Sequence, residues 1–180
     1  MKFSTKFIAR SAIIAAIYFA LSMLLQPLTY GPVQFRVAEA LTMLPFLMTE
    51  GVYGVIIGCF LTNLFSGYGV YDVIFGTLAT AIAAVLTRII KNKWLAGLPP
   101  VAVNALILPL IWLLAGSTEE SYAVNALSIT VSQAVIVYAI GIPMVILIRK
   151  RLPELGKTRP ENVSDAPEPE SGENENRPSE

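Results

Sequence analysis

The stretch Leu44-Pro45-Phe46-Leu47-Met48-Thr49-Glu50-Gly51-Val52-Tyr53-Gly54 can be read in two ways. The apolar segments on either side of Thr49-Glu50-Gly51, Val37–Met48 and Val52–Leu64, either join into one long helix or fold back on each other as two short ones. Each alone is shorter than the roughly 20 helical residues that a 30 Å hydrocarbon layer asks for. Four further apolar segments surround them: Ile8–Leu28, Val70–Arg88, Leu98–Leu114 and Tyr122–Ile148. Apolar runs that follow one another with almost no charged face belong in a membrane, since a soluble domain needs a polar surface.

Charge decides between five spans and six. Residues 1–151 hold ten Lys/Arg and five Asp/Glu, a balance of +5. With six spans, Lys2, Lys6 and Arg10, then Arg88, Lys91 and Lys93, then Arg149, Lys150 and Arg151 fall on one side, and Arg36 alone falls on the other. With five spans the Arg88–Lys93 loop and the C-terminus would be external, against the rule that cytoplasmic loops carry the excess of Lys and Arg. The expectation is an all-α membrane protein with six transmembrane helices and both termini cytoplasmic. Thr49-Glu50-Gly51 is then a tight inner turn and Pro45 kinks the second span. The N-terminal basic and apolar stretch is read as the first span, not as a cleaved signal, because it is longer than a usual signal core.

The last 29 residues differ chemically. They hold three Lys/Arg against eight Asp/Glu (−5), five prolines, and only Leu152, Leu155, Val163 and Ala166 of the hydrophobic set. So little apolar surface cannot offset the entropy of ordering, and a disordered cytoplasmic tail is expected over 152–180. The chain thus divides into a six-helix substrate-binding membrane domain, 1–151, and that tail. Asn162-Val163-Ser164 fits a glycosylation pattern but falls on the inner side. The recurrence of Asn-Ala-Leu at Asn104 and Asn125 would place its copies at opposite depths, which is no repeat.

Composition removes several functions. There is no histidine, so no Ser-His or Cys-His pair and no HExxH metal site. Cys59 is alone, which excludes an internal disulfide and a cysteine zinc site. No GxxxxGK[ST] loop is present, and no basic stripe with aromatic residues marks nucleic-acid binding. No cofactor is called for. Glu119-Glu120 has no partner base and reads as a solvated external turn.

Polar residues inside apolar spans cost roughly 2.5–3.5 kcal/mol at mid-depth, so each needs a reason. The outer half holds Tyr30, Gln34, Arg36 and Glu39 before and within span two, Asn63 at the end of span three, and Tyr68, Tyr71 and Asp72 entering span four. Trp112 lies in the outer part of span five, and Asn125 and Ser128 in that of span six. One reading is a pocket open to the outside, with the aromatic, Pro- and Gly-bearing Gln26–Arg36 loop as a lid. The plainer reading is an aromatic belt at the headgroups, with Arg36 and Glu39 paired on one helix turn. Asn104 and Gln133 lie deeper and suit either the pocket floor or a bond between helices. On span one, Ala12, Ala16 and Ala20 form a strip where another helix can approach closely. Gly54 and Gly58 do the same on span three, with internal packing as the default there.

Pro27-Leu-Thr-Tyr-Gly-Pro-Val-Gln-Phe-Arg-Val-Ala-Glu-Ala-Leu-Thr42 resembles the signature of the QueT family, substrate-capture (S) components of energy-coupling factor (ECF) transporters. Asn63-Leu-Phe-Ser-Gly, Asp72-Val-Ile-Phe-Gly-Thr-Leu-Ala-Thr80 and Leu98-Pro-Pro-Val-Ala-Val-Asn104-Ala-Leu support it, and the resemblance spans residues 8–150. It implies capture of a queuosine precursor, a deazaguanine base, from outside the cell membrane. It implies docking through Ala12, Ala16 and Ala20 on a membrane coupling subunit that works with two ATP-binding subunits.

For such a base, Glu39 or Asp72 would accept the paired ring donors. Asn63, Asn104, Gln34 or Arg36 would donate to the ring carbonyl, and Tyr30, Phe35, Tyr71 or Trp112 would offer an aromatic face. Capture of another vitamin-like nutrient, and a standalone secondary permease, are the alternatives. The permease would need a mid-membrane coupling site, for which the spans offer no mid-depth carboxylate.

Overall fold

The computed structural model describes residues 4–26, 35–67, 69–116, 121–152 and 155. Tyr30, Gln34, Tyr68, Glu119, Glu120 and nearly all of the acidic tail lie outside them, and so do residues 27–34 of the expected lid. Among the described residues every regular element is helical. There are six helices: α1 (Thr5–Leu24), α2 (Val37–Leu47), α3 (Thr49–Asn63), α4 (Asp72–Ile89), α5 (Leu95–Leu114) and α6 (Tyr122–Arg151). Four of them, α1, α4, α5 and α6, are long and apolar enough to cross a membrane, whereas α2 and α3 are shorter.

The break between α2 and α3 falls at one residue. Met48 is extended, with φ −141° and ψ 147°, and helix resumes at Thr49. Gly51 is what lets the chain reverse so sharply: a Cβ there would sit 2.6 Å from the carbonyl carbon of Leu44. The expected turn at Thr49-Glu50-Gly51 is therefore the first turn of α3, one residue past the joint. Pro45 does not bend a continuous helix. It stands in the first turn of a short α-helical piece, Leu44–Leu47, that follows a 3-10 segment, Val37–Met43. Proline lacks an amide proton, and that position leaves none unmet.

Side-chain pairings set the helix directions. Arg10 meets Glu50 and Ile14 packs on Gly54, while Tyr18 packs on Gly58, so α1 and α3 run parallel with a constant offset of 40 residues. A Cβ at Gly54 or Gly58 would lie 2.6–2.7 Å from those side chains, so these glycines serve internal packing. Asn63 reaches Asp72 and Cys59 meets Thr80, which makes α4 antiparallel to α3. Thr87 bonds to the Ala96 carbonyl at the α4–α5 turn. Tyr122 and Tyr138 bond to the carbonyls of Leu106 and Trp94, so α6 is antiparallel to α5.

The six helices therefore alternate in direction. The start of α1, the α2–α3 joint, the α4–α5 turn and the end of α6 share one end of the bundle. Lys6, Arg10, Arg88, Lys91, Lys93, Arg149, Lys150 and Arg151 gather there, and Arg36 stands at the other end. This is the segregation that the sequence predicts for alternating passes.

Two helices carry a π-helical turn, Asp72–Gly76 in α4 and Val137–Gly141 in α6. The second ends two residues before Pro143, which has no amide to give the Ala139 carbonyl in a regular helix. The core is built where α2 lies across the others: Met43, Leu44 and Leu47 pack with Val55, Ala84, Val101, Val137 and Ile142. A second cluster of Ala105, Leu108, Ile111, Trp112 and Ile129 joins α5 to α6. Large apolar side chains such as Ile17, Ile57, Leu78, Ile82, Leu106, Leu127 and Val131 point outward, while Arg36, Glu39, Asn63, Asp72 and Gln133 are buried. Polar groups inside and apolar groups outside is the distribution of a protein whose solvent is lipid.

Candidate functional site

The buried polar residues meet at the Asp72 end, where α1, α2, α3, α4 and α6 converge. The 3-10 turn of α2 supplies two of them. The Glu39 amide donates to the Arg36 carbonyl at 2.9 Å, and the Thr42 hydroxyl donates to the Glu39 carbonyl at 2.6 Å. This tight turn places Glu39 facing the bundle axis with 1% exposure. Its carboxylate is held from two sides. The Tyr18 phenol of α1 donates to Oε1 at 2.7 Å, and Gln133 Nε2 of α6 donates to Oε2 at 3.1 Å. A buried carboxylate is tolerated when donors replace water, each such bond being worth about 1.5–3 kcal/mol.

Arg36 and Asp72 form the second part. The guanidinium Nη2 stands 3.9 Å from Asp72 Oδ2, an ion pair at the long end of contact, with both side chains buried. Arg36 therefore pairs with Asp72 across helices. Asp72 opens the π-helical turn of α4, and Gly76 closes it. A Cβ on Gly76 would sit 2.6 Å from Asp72 Oδ1 and 3.0 Å from Asn63 Nδ2, so the bare glycine makes room for both polar ends.

Asn63 ties α3 to this turn. Its Nδ2 donates to the Asp72 carbonyl (3.1 Å), the Thr77 hydroxyl (3.3 Å) and Cys59 Sγ (3.3 Å). Thr80 donates to the same sulfur at 3.1 Å. Cys59 is thus the hub of a polar patch that joins α3 to α4. Among the described residues no three metal-ligating side chains converge.

The structure brings together Arg36, Glu39, Asn63 and Asp72 of the expected site, and it places Gln133 against Glu39. Asn104 is buried on α5, the helix that packs along the Asp72–Gly76 turn, and Trp112 is buried in the α5–α6 cluster. Tyr71 does not join them. It is 45% exposed, pointing out where its neighbour Asp72 points in. Tyr30 and Gln34 lie outside the described residues. In this structure the Asn63 donor is held by Asp72, Thr77 and Cys59, and its oxygen has no donor among the described residues.

Tyr18, Cys59 and Thr80 are the members that sequence reading missed. A signal existed for Tyr18: Ser11, Tyr18 and Ser22 recur at helical spacing on α1, and all three are buried. Ala12, Ala16 and Ala20 lie on the opposite, exposed side.

The sequence model of the QueT transporter family matches residues 8–150. The queuosine precursor transporter QueT of Lactococcus lactis subsp. cremoris (strain MG1363) is 41% identical over 83 residues, covering 45% of this chain and 48% of the relative. The chain matches about half the length of that relative. No solved structure matches. With the match running from the first helix to the last, the chain belongs to the QueT transporter family, a family of membrane transporters and not of enzymes.

Proposed function

We propose that this protein captures a queuosine precursor, a deazaguanine base, at the buried cluster of Arg36, Glu39, Asn63 and Asp72. The observation that carries the reading is the concentration of charged and amide side chains at one end of an otherwise apolar bundle. Such a base has about a dozen heavy atoms. At a ceiling of roughly −1.5 kcal/mol per atom, nanomolar capture requires nearly every polar atom of the base to be satisfied. Two carboxylates, a guanidinium and an amide within one apolar shell suit that demand, with Asn104 on the helix that packs along the α4 turn and Trp112 and Phe35 as candidate aromatic faces.

All six helices pass through the membrane in this reading, including the short α2 and α3. The cation-rich end is cytoplasmic and holds both termini, so the Asp72 end opens outward. The membrane is the bacterial plasma membrane. The chain acts as the S component of an ECF importer, docked on a coupling subunit served by two ATP-binding subunits. The exposed row of Ala12, Ala16 and Ala20 on α1 supports that assembly, because small side chains on an open face permit close helix approach.

Native purification followed by mass spectrometry tests the whole reading. A deazaguanine base and the coupling and ATP-binding subunits are expected to co-purify. A different nutrient in the pocket, or ligand uptake into liposomes by this chain alone, would overturn it.

A further inference from the structure

The two buried carboxylates of the site are not equivalent. Both oxygens of Glu39 already receive protein donors, Tyr18 on one and Gln133 on the other. Neither oxygen of Asp72 receives a hydrogen bond from any described residue, although the side chain is fully buried. Asn63 Oδ1, 1% exposed in its residue, is in the same condition. The orientation of the Asn63 amide is dictated by its surroundings: flipped, its oxygen would face the Asp72 carbonyl, where a donor is required. Over Gly76 it is the Asn63 Nδ2 end that stands beside Asp72 Oδ1, at 3.0 and 2.6 Å from a notional Cβ there.

We infer that the two unmet oxygens of Asp72 form an acceptor wall that reads the donor edge of the ligand, and that Glu39 is a positioning residue. This deepens the deazaguanine reading and rests on it. The ligand edge that fits has two adjacent N–H groups, such as the ring N–H and exocyclic amine of a guanine-like base. Buried acceptors left without donors are costly, and a ligand that supplies those donors removes the cost. Arg36, at 3.9 Å, already offsets the charge of Asp72, so the wall suits a neutral donor edge over a cationic group. A site built to receive N–H donors also rejects analogues that lack them, because the acceptors are then left unmet.

The test compares 7-deazaguanine with 7-deazahypoxanthine, which lacks the exocyclic amine, as probes binding to the purified full chain in nanodiscs. The wild type should prefer 7-deazaguanine by roughly 10- to 100-fold, the range for a hydrogen bond to a charged acceptor. Asp72→Asn should bring that ratio close to one. The doubly neutral Arg36→Gln/Asp72→Asn variant, which removes both members of the Arg36–Asp72 pair together, should do the same and guards against misfolding of the single variant. Glu39→Gln should weaken both bases alike and keep the preference.

The inference is overturned if the wild type binds both bases equally, if the preference survives both Asp72 variants, or if Glu39→Gln abolishes it. If the wild type binds neither base, the deazaguanine reading itself falls, and this inference with it.

Discussion

The Tyr18 phenol and the Glu39 carboxylate share a 2.7 Å hydrogen bond that joins α1 to the 3-10 turn of α2 across 21 residues of chain. Tyr18 sits on the same helix as the exposed alanine row, one face turned to the site and the other outward. This bond therefore connects the two surfaces on which the proposed function depends.

Tyr18→Phe should be destabilising without altering shape. It removes one of the two donors to a buried carboxylate, at a cost of about 1.5–3 kcal/mol. Thermal unfolding of the detergent-solubilised protein should show a lower midpoint than the wild type. An unchanged midpoint would mean that the carboxylate finds a replacement donor.

Gly58→Leu should be far more damaging. A Cβ alone would lie 2.7 Å from Tyr18 Cβ and 3.0 Å from the Ala15 carbonyl oxygen, so α1 and α3 must separate to admit it. Overpacking of this kind costs typically 1–3 kcal/mol and often more where backbone blocks the way. Loss of a monodisperse gel-filtration peak is the expected result.

Ala16→Leu should separate folding from assembly. The residue is exposed on α1, so a larger side chain meets no core neighbour. Thermal midpoint and ligand binding should hold, while co-purification of a coupling subunit is lost. If ligand binding falls in parallel, the strip belongs to the fold and not to a partner.

Cys59 should resist a membrane-permeant maleimide in the native protein and react after denaturation. It is 1% exposed and receives hydrogen bonds from Asn63 and Thr80. Thiol reactivity requires access, which this packing denies. Rapid labelling of the folded protein, followed by mass spectrometry, would contradict the geometry.

Much of this arrangement was legible before any coordinates. The apolar segments and the placement of Arg10, Arg88 and Arg149 implied alternating helices, because charge segregation and chain direction are both properties of sequence order. The local helix types were not legible. The 3-10 turn at Val37–Met43 and the π turns ending at Gly76 and Gly141 depend on what packs against them: Gly76 faces Asp72 and Asn63, and Gly141 faces Met43.

The same division holds for the site. Arg36, Glu39, Asn63 and Asp72 stood out because charge and amide groups are expensive in lipid. The partners of Glu39 did not, since Gln133 lies 94 residues away and a lone tyrosine in an apolar helix resembles a headgroup anchor. Which way Tyr71 turns was not legible either. Adjacent residues on a helix point about 100° apart, and only the fold says which of Tyr71 and Asp72 turns inward.

The length of α6 has a mechanical consequence. Thirty residues, Tyr122–Arg151, reach about 45 Å at 1.5 Å each, against a hydrocarbon layer of about 30 Å. Containing it wholly would demand a tilt near 50°, steeper than the 0–40° that such helices adopt. In a bilayer some of its turns stand clear of the hydrocarbon, and Arg149, Lys150 and Arg151 make the last turn the one that costs least to expose. The same helix carries Gln133 to Glu39, so how it seats in a bilayer and how the buried carboxylate is held are tied together.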